Sequence, residues 1–176
     1  MSSASPVTAI CPGTYDPVTN GHLDVIRRTA EIFECVIVGV VREPSHKRVM
    51  FGIEERCQFI RDSLADLDNI EVEVFSELVV EFARRFGAHT MVKGLRVISD
   101  FEWEFQMAHL NRALAPDVET MFLMSSPQYS FVSSSGVKEI ASFGGRVDEL
   151  VPKAVARRFR ELYPQGRPGA PVSPQE

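Results

Sequence analysis

The chain has 176 residues, 44% of them hydrophobic, and a formal net charge of −5 at pH 7. This size and apolar content suit one globular domain with a substantial core. The acidic balance argues against a nucleic-acid partner, which would usually require a basic face. No apolar run reaches the length of a membrane-spanning helix, so no membrane partner is expected.

The three cysteines, Cys11, Cys35 and Cys57, are odd in number and form no CxxC pair. Cys11 and Cys35 lie in apolar, strand-like runs, a pattern typical of reduced core cysteines in a cytosolic protein. Residues 1–6 also lack the basic-then-apolar pattern of a signal peptide, and we therefore predict a cytoplasmic location.

Strand-like and helix-like patterns alternate along the chain. The apolar residues at positions 23, 26, 30 and 33 recur at helical spacing, whereas 35–41 is a continuous β-branched run typical of a strand covered on both faces. In chain order the predicted elements are strand 7–11, helix 21–33, strand 35–41, helix 53–67, strand 70–75, helix 79–86, strand 89–92, helix 100–114, strand 118–124, and helices 134–143 and 152–163.

Five strands that alternate with helices predict an α/β fold: a Rossmann-like, doubly wound, five-stranded parallel sheet with helices on both faces and a C-terminal helix. We predict a single domain over 7–163, with a flexible N-terminus at 1–6 and a disordered Pro/Gly-rich tail at 164–176. Such sheets bind ligands beyond the carboxyl ends of their strands, where the strand order reverses. The residues that follow each strand are therefore the candidates for function.

The segment 11–22 is the first of these strand ends. It joins the first strand to the first helix through a turn with Gly13 and Thr14, and it places His22 in the first turn of the helix. Free backbone N–H groups and the positive end of the helix dipole meet there, which favours phosphate binding. A histidine in this position can donate a hydrogen bond to a phosphoryl oxygen.

Cations and hydroxyls follow the other strands. The second strand is followed by Ser45, His46, Lys47 and Arg48, the fourth by Lys93, Gly94, Leu95 and Arg96, and the fifth by the hydroxyl-rich segment 125–135. This composition at one sheet edge indicates a polyphosphate site. The chain has no GxxxxGK[ST], no GxGxxG after the first strand and no GxSxG, which favours phosphoryl or nucleotidyl transfer by positioning and electrostatic stabilisation.

Each signal alone has an ordinary structural explanation. Gly13 alone is typical of a turn, His22 and the serines at 133–135 of helix capping, and Lys93 and Arg96 of solvated loop charges. What favours a functional site is that four separate signals fall at four strand ends of one predicted sheet.

Residues 13–22 (GTYDPVTNGH) resemble the T/HxGH signature of the nucleotidyltransferase superfamily, in the form found in bacterial phosphopantetheine adenylyltransferases. Residues 93–96 (KGLR) with 100–104 (DFEWE) resemble that family's second block, and 131–135 (FVSSS) its serine motif. The resemblance extends from about 7 to 163. The combination is specific to the family, whereas the GxxH element alone would indicate only the superfamily.

The resemblance implies reversible transfer of AMP from ATP to 4′-phosphopantetheine, which gives dephospho-coenzyme A and pyrophosphate in coenzyme A biosynthesis. It also implies a cytoplasmic homohexamer, Mg²⁺ as the cofactor, and dephospho-coenzyme A or coenzyme A as product or inhibitor. The Mg²⁺ would bridge phosphate oxygens and keep several waters, so no dedicated cage of protein ligands is expected.

The resemblance also implies roles for individual residues. The expected catalytic residues are His22, which would stabilise charge on the α-phosphate, Lys47 and Arg96. The residues expected to bind 4′-phosphopantetheine are Thr14, Lys47, Val79 and Lys93, with Val79 acting through its backbone. The residues expected to bind ATP are Thr14, Tyr15, His22, Gly94, Leu95, Arg96, Glu104, Tyr129, Ser130, Phe131, Val132, Ser133, Ser134 and Ser135.

Some positions depart from the family pattern. The loop 43–51 is one residue longer, so that counting from its start puts His46 at the family's lysine position and counting from its end puts Lys47 there. We assign Lys47, because a permanent cation suits a phosphate better. Lys93 stands where many relatives have Arg and loses the bidentate fork. Trp103, which we predict to be a packing residue, stands where Tyr is common.

Two other functions compete with this one. A transferase of the same superfamily with another acceptor, such as nicotinate mononucleotide, is disfavoured by the blocks at 93–96 and 100–104. A non-catalytic nucleotide sensor on the same fold is disfavoured because Thr14 and His22 are retained together with the cations of the second block.

Overall fold

The computed structural model describes residues 6–44 and 48–164, the side chain of Ser99 excepted. In chain order the elements are β1 (Thr8–Gly13), α1 (Asn20–Ile32), β2 (Cys35–Val41), α2 (Ile53–Ser63), β3 (Ile70–Phe75), α3 (Val79–Arg85), β4 (Thr90–Leu95), α4 (Ile98–Leu114), β5 (Glu119–Met124), a 3₁₀ turn (Pro127–Tyr129), α5 (Ser134–Ser142) and α6 (Lys153–Leu162). The predicted flexible N-terminus and disordered tail lie outside the described residues, apart from Pro6 and Pro164.

The five strands form one parallel sheet in the spatial order β3-β2-β1-β4-β5. β1 pairs with β2 along its whole length and with β4 on its other side, at Ala9 and Ile10. The chain winds outward through β2 and β3, returns to the other side of β1, and winds outward again through β4 and β5. The predicted doubly wound fold is confirmed, and the strand order reverses at β1, where a crevice for ligands is expected.

The core consists of two apolar layers, one on each face of the sheet, because successive residues of a strand point to opposite faces. Ala9 and Cys11 of β1 belong to a layer with side chains of α1, α2, α5 and α6, whereas Ile10 belongs to a second layer with Ile37 and side chains of α3. Among the described residues no helix has both the length and the apolar composition needed to cross a membrane.

β4 is longer than predicted: it extends to Leu95 instead of ending at residue 92. Lys93 and Gly94 interrupt the apolar pattern, yet both continue the ladder with β5, where Gly94 lies opposite Leu123. Lys93 and Gly94 therefore lie near the carboxyl end of an inner strand rather than in a loop.

α2 ends at Ser63, short of the predicted residue 67. The Ser63 hydroxyl donates to the Phe59 carbonyl, and the Leu67 N–H bonds back to Leu64 in a turn. Local bonds of this kind compete with the helix ladder.

Gly39 in the centre of β2 gives a test of the packing between sheet and α3. An added Cβ there would lie 2.5 Å from Cε1 of Phe82 and 3.3 Å from Cδ1 of Phe75, two rings that stack at 4.6 Å. We expect Gly39→Ala to lower the free energy of unfolding by about 1–3 kcal/mol through overpacking, as measured by urea denaturation.

Gly52, the N-cap of α2, provides the matched control. An added Cβ at Gly52 meets nothing within 4 Å, and a serine is a good helix cap. Gly52→Ser should therefore leave the free energy of unfolding unchanged or slightly higher. Equal losses in the two variants would contradict the packing argument at Gly39.

Candidate active site

A cavity of about 470 Å³ opens at the carboxyl ends of β1 and β4, where the strand order reverses. Its walls come from the turn after β1, the first turns of α1, the end of β4, one side of α4 and the start of α5. The predicted site residues in its wall are Thr14, Tyr15, His22, Lys93, Gly94, Arg96, Glu104, Val132, Ser133, Ser134 and Ser135. The ends of β1, β4 and β5 that the sequence singles out thus meet in one cavity, whereas 45–47, after β2, lie outside the described residues.

The turn after β1 is built around Tyr15. The Tyr15 backbone has a φ of 50°, and its hydroxyl donates to the Cys11 carbonyl at 2.9 Å. The ring lies against Gly13, where an added Cβ would come within 2.9 Å of it, and meets the His22 ring edge-on with centroids 5.2 Å apart. Only 7% of Tyr15 is exposed, so its side chain mainly supports the turn.

His22 is fixed by the cap of α1. The Thr19 backbone N–H donates to Nδ1 of His22 at 3.0 Å, and the His22 backbone N–H donates to the Thr19 hydroxyl oxygen at 3.4 Å, which is a reciprocal capping box. Because a backbone N–H can only donate, Nδ1 is the acceptor and the proton of the neutral ring lies on Nε2. The helix cap therefore makes Nε2 the hydrogen-bond donor of this side chain.

Lys93 of β4 and Arg96, which follows β4, are each paired with a carboxylate of α4. Arg96 donates to both oxygens of Asp100, at 2.9 and 3.0 Å, and to the Val132 carbonyl at 2.9 Å. Lys93 Nζ lies 3.3 Å from Glu104. These contacts fix the cations before a ligand arrives, and an incoming phosphate would share them with the carboxylates.

The start of α5 is bonded to the turn after β1. Ser133 caps the helix by accepting from the Gly136 N–H at 3.0 Å, and the Ser134 hydroxyl donates to the Pro17 carbonyl at 2.8 Å. The first-turn amides and the positive dipole end of α5 thus stand beside the turn after β1. Two helix N-termini, of α1 and α5, contribute to the same cavity.

Some predicted site residues are not part of the described cavity wall: Val79, Leu95, Tyr129, Ser130 and Phe131. Val79 begins α3 at the carboxyl end of β3 and packs against the second core layer, while Phe131 is 74% exposed. Lys47 and its alternative His46 lie outside the described residues, so the choice between them stays a prediction.

The packing prediction for Trp103 is wrong. Its side chain lines the cavity beside Glu104, and 59% of the residue is exposed. α4 packs on the outer part of the sheet, against β4 and β5, and leaves much of its surface uncovered. An aromatic residue on such a helix is not forced into the core.

The wall residues that the sequence analysis missed include Asp16, Thr19 and Lys138. Asp16 is only 5% exposed and accepts from Lys138 of α5 at 2.7 Å. These residues lie 122 positions apart, and no local pattern links them. Thr19, in contrast, has a visible signal, because a threonine three residues before a polar side chain at a helix start is typical of a capping box.

Two other kinds of chemistry, a reactive thiol and a metal ion held by the protein alone, can be compared with the residues of the wall. Cys11 lines the cavity, but burial raises the pKa of its thiol to about 12, so the thiol stays protonated and unreactive near neutral pH. Within 6–44 and 48–164, no cluster of three or more His, Cys, Asp or Glu is placed to hold a metal ion. The arrangement is suited to binding and orienting anions.

Comparison with known proteins agrees with the family that the sequence motifs resemble. Residues 10–140 match the family model described as cytidylyltransferase-like. The phosphopantetheine adenylyltransferase of Caldanaerobacter subterraneus subsp. tengcongensis is 50% identical over 155 residues, which cover 88% of this chain and 96% of the relative. That of Thermodesulfovibrio yellowstonii is 51% identical over 156 residues, which cover 89% and 97%.

A solved structure from Vibrio parahaemolyticus, provisionally assigned as a nicotinate-nucleotide adenylyltransferase, has a TM-score of 0.64 and covers 88% of this chain and 99% of its own. Its sequence identity is 17%, so this likeness concerns the fold alone.

Proposed function

The chain belongs to the phosphopantetheine adenylyltransferases of the cytidylyltransferase-like family, and we infer from this that it is a nucleotidyltransferase of coenzyme A biosynthesis. It transfers the adenylyl group of ATP reversibly to 4′-phosphopantetheine and releases dephospho-coenzyme A and pyrophosphate. The observation that carries this conclusion is the 50% identity over 155 residues. A cavity that holds the motif residues at the reversal of the sheet supports it.

In the proposed mechanism an oxygen of the acceptor phosphate attacks the α-phosphorus of ATP in line, and the bond to pyrophosphate breaks. Thr14, Lys47 and Lys93 hold the acceptor phosphate, and the Nε2–H of His22 donates to an α-phosphate oxygen as negative charge develops there. Arg96 and the first-turn amides of α5 bind the phosphates of ATP. The protein contributes positioning and charge stabilisation, since the reaction needs no covalent intermediate.

The two substrates are proposed to approach from opposite sides of β1. The further ATP contacts come from the backbone of Gly94 and Leu95, from Glu104, and from 129–132, all on the β4 side. Val79 lies at the carboxyl end of β3, on the β2 side. A backbone contact at Val79 would direct the pantetheine arm away from the nucleotide.

We propose Mg²⁺ as the cofactor, bound through phosphate oxygens and water, where it would neutralise charge on the nucleotide. The cavity carboxylates support this arrangement, because Asp16, Asp100 and Glu104 are each paired with a cation of the protein. These paired carboxylates suit a metal that arrives with the nucleotide better than one held by the chain alone.

We also propose a cytoplasmic homohexamer, in which dephospho-coenzyme A and coenzyme A occupy the substrate cavity as product and inhibitor. Support for assembly comes from the exposed apolar residues of α4 and β5, together called the α4–β5 face: Ile98, Phe101, Phe105, Leu110, Leu114, Met121 and Met124. By helical spacing, Ile98, Phe101 and Phe105 lie on one side of α4 and Leu110 and Leu114 on the other. Apolar patches of this kind mark interaction sites, and β5 is an edge strand. Three free cysteines support a reducing compartment.

The acceptor can be tested directly. Pyrophosphate release from ATP should be at least about 10²-fold more efficient with 4′-phosphopantetheine than with nicotinate mononucleotide, because a site built for one polar acceptor rejects another. EDTA should abolish the reaction, and added Mg²⁺ should restore it. Activity with nicotinate mononucleotide alone would overturn the proposed function.

Substitution of His22 tests its role at the α-phosphate. We expect His22→Ala to lower kcat by roughly 10²- to 10³-fold while ATP binding stays measurable. His22→Gln retains a donor near the position of Nε2 and should keep more activity than His22→Asn, which retains only the acceptor for the Thr19 N–H. An unchanged kcat in His22→Ala would refute the role.

Assembly through the α4–β5 face can be tested by sedimentation velocity. Leu114→Glu places a charge in this face and should shift the protein from the hexamer to smaller species. Ile32→Glu is a control, because Ile32 is also 59% exposed but lies at the end of α1. Dissociation in both variants, or in neither, would contradict the proposed interface.

A further inference from the structure

Arg56 of α2 is the largest fully buried side chain in the described part of the chain, with 1% of its surface exposed. Its guanidinium donates to four backbone carbonyls: Phe51 at 3.1 Å, Thr14 and Val41 at 2.9 Å, and Arg42 at 2.8 Å. These carbonyls belong to the turn after β1, the end of β2 and the residues just before α2. One side chain therefore joins three segments at the edge of the cavity.

Such a placement is costly, because a buried guanidinium loses its hydration. Burial lowers the pKa of Arg56, and the negative charge of Asp16 opposes that effect. A methionine or leucine would fill similar space without a buried charge. Packing alone does not explain an arginine here, whereas the four bonds to separate segments do.

Asp16 binds the same region from the cavity side. Its carboxylate accepts from the Met50 N–H at 3.0 Å, from the Phe51 N–H at 2.9 Å and from Lys138 at 2.7 Å. The Phe51 residue thus donates its N–H to Asp16 and accepts at its carbonyl from Arg56. The whole residue is only 1% exposed, so both the backbone and the side chain of Phe51 are fixed.

We propose that Asp16 and Arg56 are positioning residues that set the geometry between Thr14, the end of β2 and the start of α2. The inference rests on the proposed function, which assigns Thr14 to the acceptor phosphate. Arg56 acts through backbone carbonyls, one of them that of Thr14. Asp16 acts through the amides of Met50 and Phe51 and also pairs with Lys138 of α5, so both residues hold the turn that carries Thr14.

A purely structural role would affect both substrates alike, whereas a positioning role should affect the acceptor selectively. Most proposed ATP ligands, namely 94–96, 104 and 129–135, lie outside the three segments that Arg56 joins. Arg96 is held instead by Asp100 and by the Val132 carbonyl. Comparing the change in affinity for the acceptor with the change in affinity for ATP therefore separates the two explanations.

Two variants and a control make the test. Arg56→Lys keeps the charge but loses the fork that reaches several carbonyls, and Asp16→Asn keeps the shape but loses the charge. Arg61→Lys is the control, because Arg61 is on the same helix and donates a bond at 3.1 Å to the Val72 carbonyl, away from the cavity. Trp103, the single tryptophan, lines the cavity, so its fluorescence can report each ligand separately.

Both Asp16→Asn and Arg56→Lys should raise the KM and Kd for 4′-phosphopantetheine by about tenfold or more, and the Kd for ATP by less than about threefold. Arg61→Lys should leave both values near those of the wild type. Equal losses for the two substrates, or no loss, would overturn the positioning role.

Hydrogen exchange gives a readout that does not depend on the substrate. The amides of Met50 and Phe51 should exchange faster in Asp16→Asn and Arg56→Lys, but not in Lys138→Met, which leaves their bonds to Asp16 in place. A wild-type protein inactive with 4′-phosphopantetheine would refute the proposed function and leave this measurement intact. Unchanged exchange in both variants would refute the positioning role of Asp16 and Arg56 itself.

Discussion

The parallel pairing of β1 with β2 on one side and β4 on the other determines where the rest of the molecule can lie. Because the two halves of the sheet wind away from β1 in opposite directions, no crossover helix covers its carboxyl end. The turn that carries Thr14 and the start of α1 that carries His22 therefore line the cavity at this point. Residues from the middle and the end of the chain, such as Lys93 and Ser133, reach the same cavity only through this arrangement.

The cavity cations are held by carboxylates of the protein instead of being left to solvent. The pairs are Lys93 with Glu104, Arg96 with Asp100, and Lys138 with Asp16. Each pair fixes a long side chain in one position, so that less ordering is needed when a phosphate binds. An acidic chain with a net charge of −5 can thus hold several cations together in one cavity without a basic surface.

The sequence allowed the fold and most of the cavity to be predicted because those signals are local. Apolar periodicity marks the strands and helices, and the strand-end rule brings Thr14, His22, Lys93 and Arg96 together. What escaped prediction depends on contacts distant in sequence: the continuation of β4 beside β5, the pair of Asp16 with Lys138, and the four carbonyls around Arg56. The acceptor cation at 46 or 47 and the individual roles of the site residues remain predictions.

α4 belongs to two surfaces at once. Asp100, Trp103 and Glu104 line the cavity, whereas Leu110 and Leu114 of the same helix are exposed on the α4–β5 face. A rigid helix transmits a small displacement along its whole length, so a ligand that shifted the cavity end of α4 would also shift its C-terminal end. A contact with another molecule on that face would therefore act on the same helix that carries Asp100 and Glu104 beside the cavity.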